Sequence, residues 1–74
     1  MQHCLSELSL FEKGRIALLN SNGAMRRRLL DLGFVPGTEV TALFAGHRDG
    51  IRAYAVAGSV IAIRRATAKE IMLD

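Results

Sequence analysis

The segment 24–38 most constrains the fold, because it alone carries a helical hydrophobic period and it ends in two successive stop signals. Its apolar residues recur at i, i+4 and i+7, at Met25, Leu29 and Leu32. This spacing predicts an α-helix over about residues 24–32 with one apolar face. Gly33 follows where a helix needs a left-handed residue to end. Pro36 and Gly37 then occupy the two central positions of a type II turn.

The residues beside the helix extend this prediction to its ends. Ser21 and Asn22 offer a side-chain oxygen for an N-cap. Phe34 is placed to fold back onto the apolar face, which is the hydrophobic contact of a Schellman ending. Arg27 and Asp31 are spaced to pair along the outer side of the helix.

Short strands joined by tight turns are predicted for the rest of the chain, because glycines interrupt it at short intervals. The predicted strands are 15–19, 39–44, 51–56, 59–64 and 71–73. The predicted turns are Lys13-Gly14, the hairpin loop 46–50, Gly58 and a short helical turn near 66–70. Alternation in the second strand predicts a common face for Val40, Ala42 and Phe44. About five short strands with one inserted helix indicate a mainly β fold that forms a closed or nearly closed small barrel.

Length and composition limit the class of protein. The chain has 74 residues, which predicts a single domain over 1–74. No apolar run approaches the roughly 20 residues that cross a bilayer, so no membrane insertion is expected. The one cysteine cannot form an internal disulfide, which suits a reducing compartment and predicts a cytoplasmic location. A net charge of +3 favours anionic partners only weakly.

The candidate partner-binding residues lie in two segments that are rich in charged side chains. Arg26 and Arg27 belong to a run of three arginines on the predicted helix, although adjacent positions cannot all face one partner. His47, Arg48 and Asp49 lie in the predicted hairpin loop. Two ligands in one loop are too few for a tight metal site, so neither a metal nor another cofactor is predicted. No Ser–His–Asp or Cys–His arrangement is suggested, and we expect no enzyme activity.

Two segments of the chain, residues 27–38 and 56–64, carry motifs that resemble the ferrous iron transport protein A (FeoA) family. Residues 27–38 read R-R-L-L-D-L-G-F-V-P-G-T, which is similar to that family's helix-and-turn signature. Residues 56–64 agree with a second family segment in order and spacing. The resemblance marks as structural the residues Leu29, Asp31, Gly33, Pro36, Gly37 and Gly58. The loop 46–50 departs from the family pattern.

The resemblance implies both a fold and a function. The implied fold is a small SH3-like β-barrel, and the implied function is a non-catalytic regulator or accessory of bacterial ferrous iron uptake. The implied partner is FeoB, a membrane transporter whose cytosolic part binds GTP, so the chain would lie at the inner membrane through that partner. A related pattern also forms a C-terminal domain of iron-dependent repressors.

Two alternatives stay open at this point. The first is a small nucleic-acid-binding barrel, which is not expected because only Tyr54 is a ready surface aromatic for base stacking. The second is a stand-alone metal sensor related to the repressors, which would bind Fe(II) by itself. Weak self-association through a barrel edge is compatible with either reading.

Overall fold

The computed structural model describes residues 3–45 and 50–74. The strands are β1 (His3–Cys4), β2 (Lys13–Leu19), β3 (Glu39–Ala45), β4 (Ile51–Val56), β5 (Ser59–Arg64) and β6 (Ile71–Leu73). The helices are a 3₁₀ helix (Leu5–Glu7), α1 (Gly23–Leu32) and α2 (Arg65–Ala68). The predicted mainly β fold is confirmed, including the inserted helix and the short helical turn. Strand β1 and the 3₁₀ helix were not predicted, because they are too short to carry a period.

All strand pairs in the described residues are antiparallel, and the strands form one sheet in the order β1-β6-β2-β3-β4-β5. The sheet wraps around one apolar core, made of Leu5, Leu8, Ile16, Leu19, Leu29, Phe34, Val40, Ala42, Tyr54, Val56, Ala68, Ile71 and Leu73. β1 and β5 are the two edges, and α2 contacts both β5 and the 3₁₀ helix. The barrel is therefore nearly closed, with α2 across its gap.

The predicted end of α1 is confirmed in detail. Gly33 has φ 110°, and its amide donates to the Leu30 carbonyl at 3.1 Å. The Phe34 amide donates to the Leu29 carbonyl at 3.0 Å, which completes the Schellman hydrogen-bond pattern. Leu29 and Phe34 are both buried in the core.

The predicted type II turn is also confirmed, and it joins α1 to the sheet. The Thr38 amide donates to the Val35 carbonyl at 3.0 Å, and Gly37 has φ 94°. Pro36 precedes that glycine, as the turn type favours. The Gly37 amide donates to the Ile16 carbonyl at 2.7 Å, so the turn is tied directly to β2.

The predicted turn at Lys13-Gly14 is wrong, because both residues belong to β2. Gly14 pairs with Val40 of β3. A Cβ at Gly14 would lie 2.8 Å from Leu73 Cδ1. The glycine thus marks a close approach inside the barrel, and the turn lies earlier, at residues 9–12.

Two smaller predictions also fail. Phe44 does not share the face of Val40 and Ala42, because the register shifts between Ala42 and Phe44 and turns Phe44 outward to 61% exposure. Asn22 is the N-cap of α1 but makes no side-chain cap hydrogen bond. The Ser21 hydroxyl instead donates to the Glu70 carboxylate at 2.7 Å.

Arg52 is a buried charge that holds the N-terminal segment on the sheet. It is 8% exposed on the inner face of β4. Its guanidinium donates to the Leu8 carbonyl at 2.7 Å and to the Ser6 carbonyl. The guanidinium carbon also lies 5.8 Å from the ring centroid of Tyr54. These contacts fasten the segment after β1 to the opposite side of the barrel.

Candidate docking groove

A groove of about 260 Å³ lies between α1 and the edge strand β5. Its lining residues are Met25, Arg28, Leu29, Leu32, Ile61, Ala62, Ile63, Arg64 and Thr67. We call this site the α1–β5 groove. Most of its lining is apolar, and the two charged residues that border it are Arg28 and Arg64.

The apolar lining arises because α1 covers β5 incompletely. Ile61 and Ile63 pair with Tyr54 and Arg52 of β4, so they belong to the inner face of the sheet. Both isoleucines are only half-buried, unlike their buried partners on β4. Met25 was predicted on the buried helix face, yet it is 43% exposed. Partly covered apolar side chains of this kind are typical of a binding surface.

The edge of β5 itself contributes to the groove. Four consecutive β5 residues, 61–64, line it, so side chains of both sheet faces and the backbone between them border the same space. Within the described residues, β5 pairs with β4 alone. An unpaired strand edge can hydrogen-bond an extended segment of another chain.

The charge of the groove is positive. Arg28 and Arg64 are exposed, and no carboxylate belongs to the lining as the structure describes it. Neither arginine side chain makes a hydrogen bond or an ion pair with any described residue. Both guanidinium groups are therefore available to carboxylates of a partner.

The predicted partner-binding residues lie elsewhere or outside the described residues. Arg26 is exposed, with Nη1 3.5 Å from the Leu19 carbonyl, and Arg27 is exposed on another side of α1. Within the residues that the structure describes, Arg27 and Asp31 do not form the predicted ion pair. His47, Arg48 and Asp49 fall outside the described residues.

Sequence reasoning missed Arg28 and Arg64 as the cations of this site. Arg28 belongs to the helix-and-turn signature that the sequence explains structurally, and Arg64 is the last residue of a strand whose edge position no local pattern reveals. The alternation of Ile61 and Ile63 before Arg64 was the available signal. This alternation indicates a partly exposed apolar surface only once the strand order places β5 at the edge of the sheet.

Other functional predictions can be compared with the described residues. Tyr54, the predicted surface aromatic, is fully buried and cannot stack on a base. In 3–45 and 50–74, no group of three or more His, Cys, Asp and Glu side chains could hold a metal ion. The same ranges contain no helix that is long and apolar enough to cross a membrane.

A nearly closed, six-stranded antiparallel barrel with one inserted helix is the architecture of a small SH3-like domain. The FeoA domain model matches residues 3–74, so the chain belongs to the FeoA family of ferrous iron transport. A search of curated proteins found no match to the sequence.

Solved structures agree with this assignment. FeoA of Stenotrophomonas maltophilia in complex with zinc, described as a prokaryotic SH3 domain protein, is 33% identical and has a TM-score of 0.82. That match covers 96% of this chain and 88% of that chain. FeoA of Chlorobium tepidum is 32% identical over 95% of this chain and 67% of that chain, with a TM-score of 0.82.

A manganese-dependent transcriptional repressor shares the fold alone. It is 15% identical with a TM-score of 0.87, and the match covers 97% of this chain and 40% of the repressor. The relation to repressors expected from the sequence is therefore present as a common fold.

Proposed function

We propose that the chain is a non-catalytic accessory protein of ferrous iron uptake that acts by contact with the cytosolic part of a FeoB-type membrane transporter. Family membership supports the transport role, and the α1–β5 groove is the observation that carries the contact role. The FeoA of Stenotrophomonas maltophilia has itself been described as a candidate activating factor of bacterial ferrous iron transport. The proposed place of action is the cytoplasmic face of the inner membrane.

The groove favours an extended, apolar and acidic segment of the partner. Such a segment can add to the β5 edge through backbone hydrogen bonds, as in β-augmentation. Its apolar side chains would cover Ile61 and Ile63, and its carboxylates would meet Arg28 and Arg64. Pockets for side chains give specificity in this mode, and backbone pairing gives affinity. The groove is lined by apolar groups, one threonine and two arginines. This lining supports a role in protein binding and not in catalysis.

The test is the affinity of the purified chain for full-length FeoB from the same source in detergent, measured with Arg28→Glu, Arg64→Glu and Arg27→Glu variants. Arg27→Glu is the matched control, since it makes the same charge reversal on the same helix outside the groove. We expect each groove variant to weaken binding about tenfold or more, because a desolvated charge pair becomes a repulsive one. The control should stay within about twofold of the wild type.

Three results would contradict the proposal in different ways. No measurable binding of the wild type to FeoB would overturn the accessory role itself. Binding that is weakened by Arg27→Glu but not by the groove variants would move the contact to the outer face of α1. Binding that disappears on nuclease treatment would restore the nucleic-acid alternative.

A further inference from the structure

The turn at residues 9–12 holds a phenylalanine in a position that normally requires glycine. The Glu12 amide donates to the Ser9 carbonyl at 3.0 Å, and the Ser9 amide donates to Glu12 Oε1 at 2.8 Å. Phe11 is the third residue of this turn and has φ 66°. A positive φ at that position is the mark of a type II turn, which favours glycine there.

The hydrogen bonds to β3 impose the same requirement a second time. The Phe11 amide donates to the Ala42 carbonyl at 2.6 Å, and the Ala42 amide donates to the Glu12 carbonyl at 3.1 Å. Two residues thus oppose one, in the pattern of a G1 bulge, whose first residue is usually a left-handed glycine. A bulky side chain at positive φ is a strained exception.

Nothing within the described residues offsets this strain through packing of the ring. Phe11 is 73% exposed, and its neighbour Leu10 is 51% exposed. Glycine would make the same backbone hydrogen bonds without the steric cost. Strained backbone conformations cluster at functional sites. The hydrogen bonds to Ala42 hold the backbone of Phe11, and the exposed ring is accessible to a ligand outside the chain.

The sheet beside this turn continues the apolar surface. The outward-facing residues of β3, β4 and β5 follow two cross-strand rows, Phe44–Ala53–Ala62 and Thr41–Ala55–Val60. Phe44 and Val60 are 61% and 65% exposed. We call this surface, together with Leu10 and Phe11, the outer apolar face.

The charges around the outer apolar face are mainly positive. Lys13 lies opposite Thr41, and Arg64 ends β5 on the same side. The one carboxylate on these outward positions, Glu39, is paired in register with Arg15. Glu12, the last residue of the turn, stays anionic while its Oε1 accepts the Ser9 amide, so the three cations Lys13, Arg15 and Arg64 exceed the two carboxylates Glu12 and Glu39 by one. A second copy would bring like charges together, whereas an anionic surface complements them.

We propose, against the expectation from the sequence that the chain does not insert into a membrane, that the outer apolar face contacts an anionic lipid bilayer directly, with Leu10 and Phe11 entering the boundary between headgroups and acyl chains. Leu10 and Phe11 are 51% and 73% exposed, so both side chains are accessible for insertion. Exposed Phe and Leu side chains beside Lys and Arg are the combination that binds membrane interfaces. The contact shares Ala62 and Arg64 with the α1–β5 groove, whereas Phe11, Phe44 and Lys13 lie outside that groove. It would hold the chain close to a membrane-embedded partner.

The test is co-sedimentation of the purified chain with vesicles of phosphatidylcholine alone, and of phosphatidylcholine and phosphatidylglycerol in equal parts. The wild type should sediment with the anionic vesicles only. Phe11→Gly should lower the partition coefficient by about tenfold or more, since it removes the inserted ring. The same variant should raise the melting temperature by about 5 °C, because the backbone strain is relieved.

Two matched controls separate this surface from the rest of the protein. Met25→Ala removes exposed apolar area from the groove, and it should leave vesicle binding unchanged. Lys13→Glu should weaken binding to anionic vesicles, whereas Lys69→Glu, after α2, should weaken it less. Phe44→Ser provides a second variant of the face that does not alter the strained turn.

Several results would overturn the proposal. They are failure of the wild type to sediment with anionic vesicles, unchanged binding of Phe11→Gly and Phe44→Ser, or a lower melting temperature of Phe11→Gly. A dimer in sedimentation velocity that Phe11→Gly dissociates, without vesicle binding, would identify a second copy as the occupant. If the wild type does not bind vesicles and Phe11→Gly lowers the affinity for FeoB in detergent, the ring of Phe11 binds a pocket of the partner protein instead.

Discussion

At the scale of single residues, Tyr54 shows how burial changes the chemistry of one side chain. It lies fully buried on the inner face of β4, and its hydroxyl is 3.4 Å from the Leu5 carbonyl. Burial raises the pKa of Tyr54 above its usual value of 10.0, and the nearby cation of Arg52 opposes this effect. Desolvation has the larger influence because the phenolate would lose its hydration.

Ionisation of Tyr54 should therefore occur at a higher pH in the folded chain than in the unfolded chain. Its raised pKa contributes stability that is fully present below pH 10 and is lost as the pH rises through the folded pKa. The chain has one tyrosine, so the ultraviolet absorbance of the phenolate reports this site alone. An ordinary tyrosine titration curve in the native chain, matching the curve in urea, would show that the phenol is solvated.

At the scale of elements, the end of α1 and the β4–β5 hairpin meet at one close contact. Ala57 and Gly58 have φ 52° and 79°, which is the backbone of a type I′ turn. A Cβ at Gly33 would lie 2.6 Å from Ala57 Cβ. Gly33 is thus required both by its left-handed backbone and by the hairpin that packs against it.

Substitution of Gly33 should reveal both requirements. We expect Gly33→Ala to lower the free energy of unfolding by about 2 kcal/mol, since it adds strain and a steric overlap. Ala57→Gly should be neutral or stabilise by about 0.5 kcal/mol, because glycine suits its positive φ. In the double variant the overlap is absent, so the two effects should differ from additivity by about 1 kcal/mol. Urea unfolding of the four proteins measures this, and strict additivity would show that the contact has no energetic role.

At the scale of the whole molecule, an open sheet is held in a barrel by contacts that cross it. β1 and β5 are not hydrogen-bonded to each other in the described structure. The core, α2 and the guanidinium of Arg52 join the two ends of the sheet. A domain of this size buries little surface, so each of these contacts is a substantial part of its stability.

Removal of the Arg52 guanidinium should destabilise the whole domain. Arg52→Met keeps the apolar stem but leaves the Ser6 and Leu8 carbonyls without their donors, which should cost about 2 kcal/mol. Arg52→Lys should cost less, since it keeps one donor and the charge. The matched control is Arg15→Met, because Arg15 also donates to a carbonyl, that of Gly37 at 3.0 Å, but from an exposed position.

Thermal unfolding followed by circular dichroism compares these variants. The control should stay within about 0.5 kcal/mol of the wild type. An Arg52→Met protein as stable as the wild type would mean that water replaces the lost donors at the barrel end.

Local patterns determined most of the secondary structure. The period of Met25, Leu29 and Leu32 and the stop at Gly33 define a helix by interactions within a few residues, so the sequence alone suffices for α1 and its ending. The turn at Pro36 and the β4–β5 hairpin at Gly58 are local in the same sense. These short-range rules also explain why the family resemblance lies in the same segments.

Tertiary structure alone decided the order of the strands and the position of the candidate sites. The bulge that exposes Phe44, the close approach at Gly14 and the buried Arg52 depend on residues distant in sequence. The α1–β5 groove exists because β5 is an edge strand, and strand order is a property of long-range pairing that no local pattern contains. The sequence by itself therefore determined the elements and the family, and packing decided which of its arginines line the α1–β5 groove and which of its phenylalanines are exposed.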